Sequence, residues 1–276
     1  MSIKNPELNE LSVHGQQRRT ILKGAGATLT MGTLAANFGA LLPRGVRAAD
    51  SVVGSRCMSV LYKNGDNVSF NFDYYRDHHL TTIMKLYGNS IKRFELRKPV
   101  TAEGAPAPAY VAVVNFWVND LAAFEAAGAK HSQTLIDDVP NFTNTQPIIQ
   151  NDEVWGEAGG ALTDNAIGTR CLTILYPNDE GVRWDADYYR EKHMTLIMKL
   201  YGTEAIRRFE VRKGLTGMDG TSKPSFIGCV NIYIEDQAKF DAAGAKHSQT
   251  LRDDVPNFSS VNPSAVVTEI YGVANT

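Results

Sequence analysis

Cysteine and surplus positive charge are both scarce in this sequence. Three cysteines occur among 276 residues, and none forms a CxxC pair. This odd, small number argues against a disulfide framework and against a cysteine-based zinc site. Cys57 and Cys171 are instead predicted to be small buried side chains on strands. The formal net charge of −2 gives no basic surface for nucleic acid, so no nucleic-acid partner is expected.

Signatures of cofactors and metals are missing as well. No GxGxxG run joins a predicted strand to a helix, so a self-contained NAD-dependent mechanism is disfavoured. The adjacent residues His78 and His79 would diverge by about 100° on a helix, and no metal site is expected. Hydrophobic residues make up 43% of the chain, which is enough core for one large domain or two small ones.

Residues 1–49 differ in kind from the rest of the chain. The pair Arg18 and Arg19 precedes an uncharged stretch rich in Gly, Ala, Thr and Leu, and small residues at Ala48 and Ala49 end it. The pattern resembles a twin-arginine export signal, which implies a periplasmic or secreted protein with no stable membrane insertion after cleavage. A membrane anchor is the alternative, but Gly and Thr dilute the apolar run.

The remaining sequence contains the same pattern of segments twice. The segment FEAAGAKHSQTLIDDVPNF (124–142) returns at 240–258 with two differences. YYRDHHLTTIMKLYG (74–88) returns as YYREKHMTLIMKLYG, and RFELRK returns as RFEVRK. Because the order of the blocks is the same in both halves, the sequence predicts a tandem duplication of a unit of roughly 110 residues.

Each unit has the pattern of a small α+β domain. In the first unit, alternating segments at 57–63, 90–98, 110–118 and 145–156 predict strands. Three-and-four spacing over 73–86 predicts a helix, and a second helix is predicted after Asp120, its N-cap. HSQTLIDDVPNF is expected to be a turn or short helix after that helix ends. The order is βαββαβ, the ferredoxin-like unit.

Two such units explain the duplication. In one unit the two helices cover one face of the sheet and leave the other face uncovered. Two units are therefore expected to bring their uncovered faces together and close an intrachain α/β-barrel. The motifs FDYYRDHHL, IKRFELRK, DVPNF and IIQNDEVWG, with their second copies, resemble the EthD family of the dimeric α/β-barrel superfamily. The resemblance covers 55–156 and 169–273, with a linker at 157–168. That family typically has one unit per chain, and the fused form leaves a further homodimer open.

The resemblance leaves the chemistry open. Relatives in the superfamily include cofactor-free monooxygenases, cyclases, isomerases and haem proteins, and the fold does not choose among them. The sequence therefore keeps three hypotheses. In the first, the protein is an enzyme of oxidoreductase or acid/base type that acts on a small apolar organic molecule. In the second, it binds a small molecule without catalysis. In the third, it is a haem protein with a histidine ligand. No cofactor is evident from the residues.

Alternation within the strands predicts a ligand-binding surface inside the barrel. The smaller, more polar face of the first strand and the Asn-aromatic face of the third are assigned to a central cavity. The alternative is that the asparagines satisfy backbone groups at a strand bend. The predicted lining residues are Ser59, Asn115 and Trp117 in the first unit, and Thr173, Asn231 and Tyr233 in the second.

Histidines recur at two places in each unit. His79 follows Tyr75 by four residues, as His193 follows Tyr189, which predicts a catalytic acid/base with an orienting phenol. The alternative is a core histidine bonded to a backbone carbonyl.

His131 and His247 stand before a pair of aspartates, and a His–Asp pair there would bind ligand. A surface loop is the favoured alternative at that position. The alternating Arg93, Glu95 and Arg97 are interpreted as a charge ladder on a sheet surface.

Overall fold

The computed structural model describes residues 51–101, 103–160 and 166–275. The predicted export signal lies outside these residues. These described residues form eight strands, four in each half of the repeat. They are β1 (Arg56–Lys63), β2 (Ile91–Pro99), β3 (Tyr110–Val118), β4 (Pro147–Gly159), β5 (Arg170–Pro177), β6 (Ile206–Gly217), β7 (Phe226–Ile234) and β8 (Ser264–Asn275).

Two helices accompany each set of four strands. The first helix of each half has three consecutive parts, of which the middle one is a π-helical turn. Helix α1 comprises Phe72–Tyr74, the π turn Tyr75–His79 and Leu80–Tyr87; helix α2 is Leu121–Asp138. Helix α3 comprises Ala186–Tyr188, the π turn Tyr189–His193 and Met194–Tyr201; helix α4 is Gln237–Phe258.

The strands form one closed antiparallel barrel in the order β1-β3-β2-β8-β5-β7-β6-β4. Strands β2 and β8 join the halves at one seam, and β4 and β6 join them at the other. The predicted α+β fold, with two βαββαβ units in one barrel, is confirmed. Closure leaves no open sheet edge in the barrel.

Alternation along the strands separates two layers of side chains. The outward face, with Val60, Tyr62 and Phe116, packs against helix residues such as Leu80 and Phe124. The second half repeats this packing between its strands and helices. The opposite face points into the barrel, where apolar side chains such as Leu61 and Val113 share the space with polar ones. The predicted assignment of faces in β1 and β3 is confirmed.

The prediction of a surface charge ladder on β2 is wrong. Glu95 and Arg97 are fully buried inside the barrel, and the side chain of Arg93 is 11% exposed at its rim. Glu210 and Arg212 are buried in the same way on β6. Charged residues alternating with apolar ones do not reveal which face is buried, because both faces of a barrel strand with outer helices are covered.

The helix after Asp120 is longer than predicted. Asp120 caps it by accepting a hydrogen bond from the N–H of Ala123 at 3.0 Å. The helix then continues through Gly128 and His131 to Asp138. A single glycine lowers the stability of a helix by only about 1 kcal/mol relative to alanine, and the helical turns on either side offset this loss. Strand β4 also extends through residues 157–159, which the sequence assigned to the linker.

Within the described ranges, no helix has the length and apolar character needed to cross a membrane.

Candidate functional site

His79 occupies the last position of the π turn in α1. Its side chain is 6% exposed, and its ring lies 4.9 Å from the ring of Tyr75 and 4.7 Å from that of Phe142, between centroids. The extra residue of a π turn is a feature often found at functional sites. His193 ends the corresponding turn in α3 and packs against Tyr189 and Phe258 in the same way.

A carboxylate from the end of the second helix holds this histidine. The Nδ1 atom of His79 lies 2.7 Å from Oδ2 of Asp138. The other oxygen of Asp138 accepts hydrogen bonds from the Tyr74 hydroxyl at 2.9 Å and from the Asn141 amide at 2.8 Å. The second half has the same four-residue cluster at nearly the same distances, formed by His193, Asp254, Tyr188 and Asn257.

Burial and hydrogen bonding set the charge of each partner. Burial lowers the pKa of His79, although the hydrogen bond and charge of Asp138 act in the opposite direction. Burial acts to raise the pKa of Asp138, but hydrogen bonds from Asn141, His79 and Tyr74 outweigh it and leave that pKa below its usual value. Near neutral pH the imidazole is therefore neutral and the carboxylate is ionised.

This charge state determines the tautomer of the ring. An ionised carboxylate only accepts hydrogen bonds, so Nδ1 of His79 must carry the proton and donate it to Asp138. The Nε2 atom then carries the lone pair. A neutral imidazole held in this way by a carboxylate is oriented to accept a proton at Nε2. His193 and Asp254 have the same pKa directions and the same arrangement.

An open depression adjoins the first of these clusters. It has a volume of about 330 Å³ and is lined by two segments that cross beside the cluster, residues 69–71 and 140–144. Asn141, which contacts Asp138, and Phe142, which contacts His79, are both part of its wall. A small molecule bound there would lie next to the His79 cluster.

The sequence predicted His79 and His193 but assigned them a different partner. Tyr75 and Tyr189 contact the histidines through their rings, while the orienting hydrogen bond comes from Asp138 or Asp254. Tyr74, Asn141 and their second-half counterparts were not predicted. The repeated DDVPNF segment was a usable signal, because it recurs with the histidine in both units.

His131 and His247 lie on the middle of α2 and α4 and do not join either cluster. The predicted pairing of His131 with the following aspartates is absent among the described contacts: Asp138 holds His79, and Asp137 accepts a hydrogen bond from Gln133 at 2.7 Å. The favoured alternative, a surface loop, is also wrong, because both helices continue past these histidines.

The six residues predicted to line the barrel do lie inside it. Ser59, Asn115, Trp117, Thr173, Asn231 and Tyr233 are all 0–3% exposed. They are separated from the histidines by the strands, because His79 packs in the outer helical layer and Ser59 points inward. The histidines and the barrel-lining residues therefore form two distinct groups of polar side chains.

Two buried arginines, Arg97 and Arg212, lie among these interior residues. Nη1 of Arg97 donates to Oδ1 of Asn231 at 2.7 Å, and Nη1 of Arg212 donates to Oδ1 of Asn115 at 2.5 Å. Each arginine also binds the glutamate two residues before it, Glu95 or Glu210. These contacts make the barrel interior a buried ionic network.

The three cysteines are free, and all lie inside the barrel. Burial raises the pKa of the Cys171 thiol to about 11, with smaller effects from Arg97 and Glu95. Burial likewise raises the pKa of Cys57 and Cys229. Among the residues that the structure describes, no group of three or more His, Cys, Asp and Glu side chains is placed to hold a metal ion.

Comparison with known proteins supports the fold. No protein-family model matches the sequence, and no curated protein matches it. An anthrone oxidase-like protein aligns with 80% of this chain and 93% of its own at 8% identity, with a TM-score of 0.51. A candidate monooxygenase from Fusobacterium nucleatum aligns with 81% of this chain and 95% of its own at 11% identity, with a TM-score of 0.50.

An EthD-like protein from Ralstonia eutropha is 28% identical over 37% of this chain and 92% of its own, with a TM-score of 0.34. The two broader matches establish that this chain shares the dimeric α/β-barrel fold with its structural neighbours.

Proposed function

We propose that this protein is an enzyme that uses His79 and His193 as general bases on a small, mostly apolar organic molecule. The observation that carries the proposal is the 2.7 Å contact between Nδ1 of His79 and Oδ2 of Asp138, repeated at 2.7 Å between His193 and Asp254. A buried histidine that only filled space would not need a carboxylate at hydrogen-bond distance in both halves of the chain.

The chemistry supported by this arrangement is proton transfer. Nε2 of the neutral imidazole accepts a proton from an O–H or an activated C–H group of the substrate. The substrate becomes an anion, and the imidazolium that forms is stabilised by the carboxylate at Nδ1. Phenols, enols and carbon acids next to a carbonyl are the substrate classes that such a base serves. An oxidoreductase or an isomerase would both begin with this step.

The depression next to the His79 cluster supports a small substrate. Its volume of about 330 Å³ is at the lower end of the range for ligand pockets. Its wall includes Phe70 and Phe142 together with Asn71, Asn141 and Asn144. Such a wall would hold an aromatic or alicyclic body and hydrogen-bond a few polar substituents.

The test is a substrate screen with matched histidine variants. The mature protein is incubated with anthrone and a panel of substituted phenols, and oxygen consumption and product formation are recorded. Anthrone is included because of the name of one structural neighbour. We expect His79→Gln and His193→Gln each to reduce turnover, and the double variant to lose about 10²–10⁴-fold. His131→Gln is the control, since His131 lies outside both clusters.

The pH profile separates a base from a binding residue. Because burial lowers the pKa of His79, activity should fall only as the pH drops below about 6.5, the ordinary value. Full activity of the double variant would contradict the proposal. A compound that co-purifies and binds without turnover would favour the binding protein, and a Soret band would favour the haem protein.

Export is part of this proposal. Arg18 and Arg19 with the following weakly apolar stretch support delivery through the twin-arginine route to the periplasm or beyond. Replacement of both arginines by lysine should retain the full-length chain in the cytoplasm, as measured by fractionation and immunoblotting. Normal export of that variant would contradict the proposal.

A further inference from the structure

The barrel interior contains two networks that correspond by repeat position but differ at several positions, two of which bear on their hydrogen bonds. Tyr233 of one network corresponds to Trp117 of the other, since each stands opposite the first cysteine of its half. Thr268 corresponds in the same way to Asp152. We call them the Arg97 network (Glu95, Arg97, Thr173, Asn231, Tyr233) and the Arg212 network (Ser59, Glu210, Arg212, Asn115, Trp117, Asp152).

Tyr233 links the guanidinium and the carboxylate of the Arg97 network. Nη2 of Arg97 donates to the Tyr233 hydroxyl and to Oε2 of Glu95, both at 2.5 Å. The Tyr233 hydroxyl donates in turn to Oε2 of Glu95 at 3.0 Å. A phenol both accepts and donates, so one side chain serves the guanidinium and the carboxylate together.

Trp117 cannot perform the same task in the Arg212 network. Its indole Nε1 donates to Oε2 of Glu210 at 3.1 Å, but an indole has no acceptor for a guanidinium. Nη2 of Arg212 and Nδ2 of Asn115 are buried without an acceptor among the described residues. Arg212 lies 4.8 Å from the centroid of the Trp117 ring, and Arg97 lies 5.0 Å from that of the Tyr233 ring. Because both arginines have this contact, it does not offset the difference in hydrogen bonding.

The two unpaired donors belong to one hydrogen-bonded pair. Arg212 already donates through Nη1 to Oδ1 of Asn115, which places both side chains in the same region of the barrel. A buried donor without an acceptor is expensive, and native proteins satisfy nearly all of them with protein or bound atoms. An acceptor bound in this region would remove two such penalties.

Charge indicates that the acceptor is neutral. Arg212 already faces Glu210, which binds its Nε at 2.5 Å, and it experiences the charge of Asp152 as well. Arg208 is paired with Glu157. A bound anion would add a negative charge to a group of side chains that has no positive charge to spare. Arg212 is 0% exposed and Asn115 is 2% exposed, so the bound group must also be small.

We propose that the Arg212 network binds one neutral oxygen acceptor at Nη2 of Arg212 and Nδ2 of Asn115, and that the Arg97 network does not. The acceptor is an oxygen of water or the carbonyl or hydroxyl oxygen of a small organic molecule. The halves of the barrel then differ in function although their sequences repeat. This proposal does not depend on the role proposed for His79, because the two groups lie on opposite sides of the strands.

The test is crystallographic and uses two variants that differ by one hydroxyl group. Crystals of the mature chain are grown at pH 7.5, with and without a soak in acetone as a small carbonyl probe. In the wild type we expect density for an oxygen within about 3.2 Å of both donors. Trp117→Tyr supplies a phenol, as Tyr233 does, and should lose this density. Trp117→Phe supplies no acceptor and should retain it.

The acetone soak distinguishes whether the bound oxygen belongs to water or to an organic molecule. Density that grows to the shape of acetone identifies an organic ligand site, whereas a single unchanged oxygen identifies bound water. The proposal is overturned if the wild type has no oxygen bridging the two donors, or if Trp117→Tyr retains it as fully as Trp117→Phe. Thermal unfolding provides a second measurement, in which Trp117→Tyr should melt at a higher temperature than Trp117→Phe. None of these results depends on catalysis, so they do not bear on the histidine proposal.

Discussion

The guanidinium of Arg97 on β2 is held by the amide of Asn231 on β7, with 2.7 Å between Nη1 and Oδ1. The two residues belong to different halves of the chain. Arg212 on β6 makes the reciprocal contact with Asn115 on β3. Each half therefore contributes a buried cation that an asparagine of the other half binds. The halves are coupled through the barrel interior as well as through the two strand seams.

Removing this cation should destabilise the whole barrel. Arg97→Met leaves Glu95 buried at 0% exposure with Arg93 as its remaining ion-pair partner. Breaking a buried ion pair on one side costs about 3–5 kcal/mol. We expect a loss of that size in the free energy of unfolding, measured by urea denaturation.

The double variant Glu95→Leu, Arg97→Met is the control for this prediction. It removes both charges, so much of the lost stability should return. A single variant that loses less than about 1 kcal/mol would argue against the coupling, as would a double variant no better than the single one.

Asp152 should give the stability of the protein an unusual dependence on pH. Burial raises the pKa of its carboxyl to about 6, against the opposing effects of Arg212, Ser59 and Gln150. The unfolded chain releases this proton near pH 4, so the folded state holds the extra proton between about pH 4 and 6. Stability from this group is greatest below pH 4 and falls as the pH rises to 6, by on the order of 3 kcal/mol.

Asp152→Thr, which copies Thr268 at the corresponding position of the other half, removes this carboxyl. Urea denaturation of both proteins from pH 4 to pH 8 measures the difference in unfolding free energy. We expect that difference to change between pH 4 and 6 and to stay level above pH 7. A difference independent of pH would show that Asp152 is ionised throughout the range.

The tautomer of His79 should depend on Asp138. The carboxylate holds the proton on Nδ1 and acts to raise the pKa of the ring. In Asp138→Ala we expect the pKa of His79 to fall further and the Nδ1–H form to lose its dominance, as measured by 15N NMR of the imidazole. Asp137→Ala is the control, because Asp137 binds Gln133 instead. Unchanged ring signals in Asp138→Ala would remove the basis for a histidine base.

Gly159 should be required for the seam between β4 and β6. Its φ is +93°, and a Cβ atom there would collide with the backbone oxygen of Arg207. Gly159→Ala should therefore lose about 1–3 kcal/mol of stability. The neighbouring Gly160 has open space around it, so Gly160→Ala should change stability by less than about 0.5 kcal/mol. Equal effects of the two substitutions in thermal unfolding would contradict the strain at Gly159.

Prediction from the sequence was most successful where the pattern is local. The strand at 110–118 was predicted with its observed bounds, and Asp120 was predicted as the cap of α2. The helix that carries His79 was also predicted, and His79 is buried on it. These outcomes depend on periodicity and capping, which act over a few residues.

Prediction failed where the partner is far along the chain. Asp138 lies 59 residues after His79, and nothing in the local pattern selects that aspartate over Asp137. Glu95 and Arg97 alternate as surface residues would, yet they are buried because the opposite half of the chain covers them. Only the packing of α1 against α2 and the closure of the barrel could decide these pairs.

The sequence by itself determined the elements, their order and the repeat, because hydrophobic periodicity and turn residues are read along the chain. The tertiary structure alone decided which polar residues meet. Closing the sheet into a barrel brings each arginine to the asparagine of the other half, and it places the histidine clusters outside that interior. The repeat makes the two halves similar, but the exchange of Tyr233 for Trp117 becomes meaningful only when an arginine from the opposite half lies beside it.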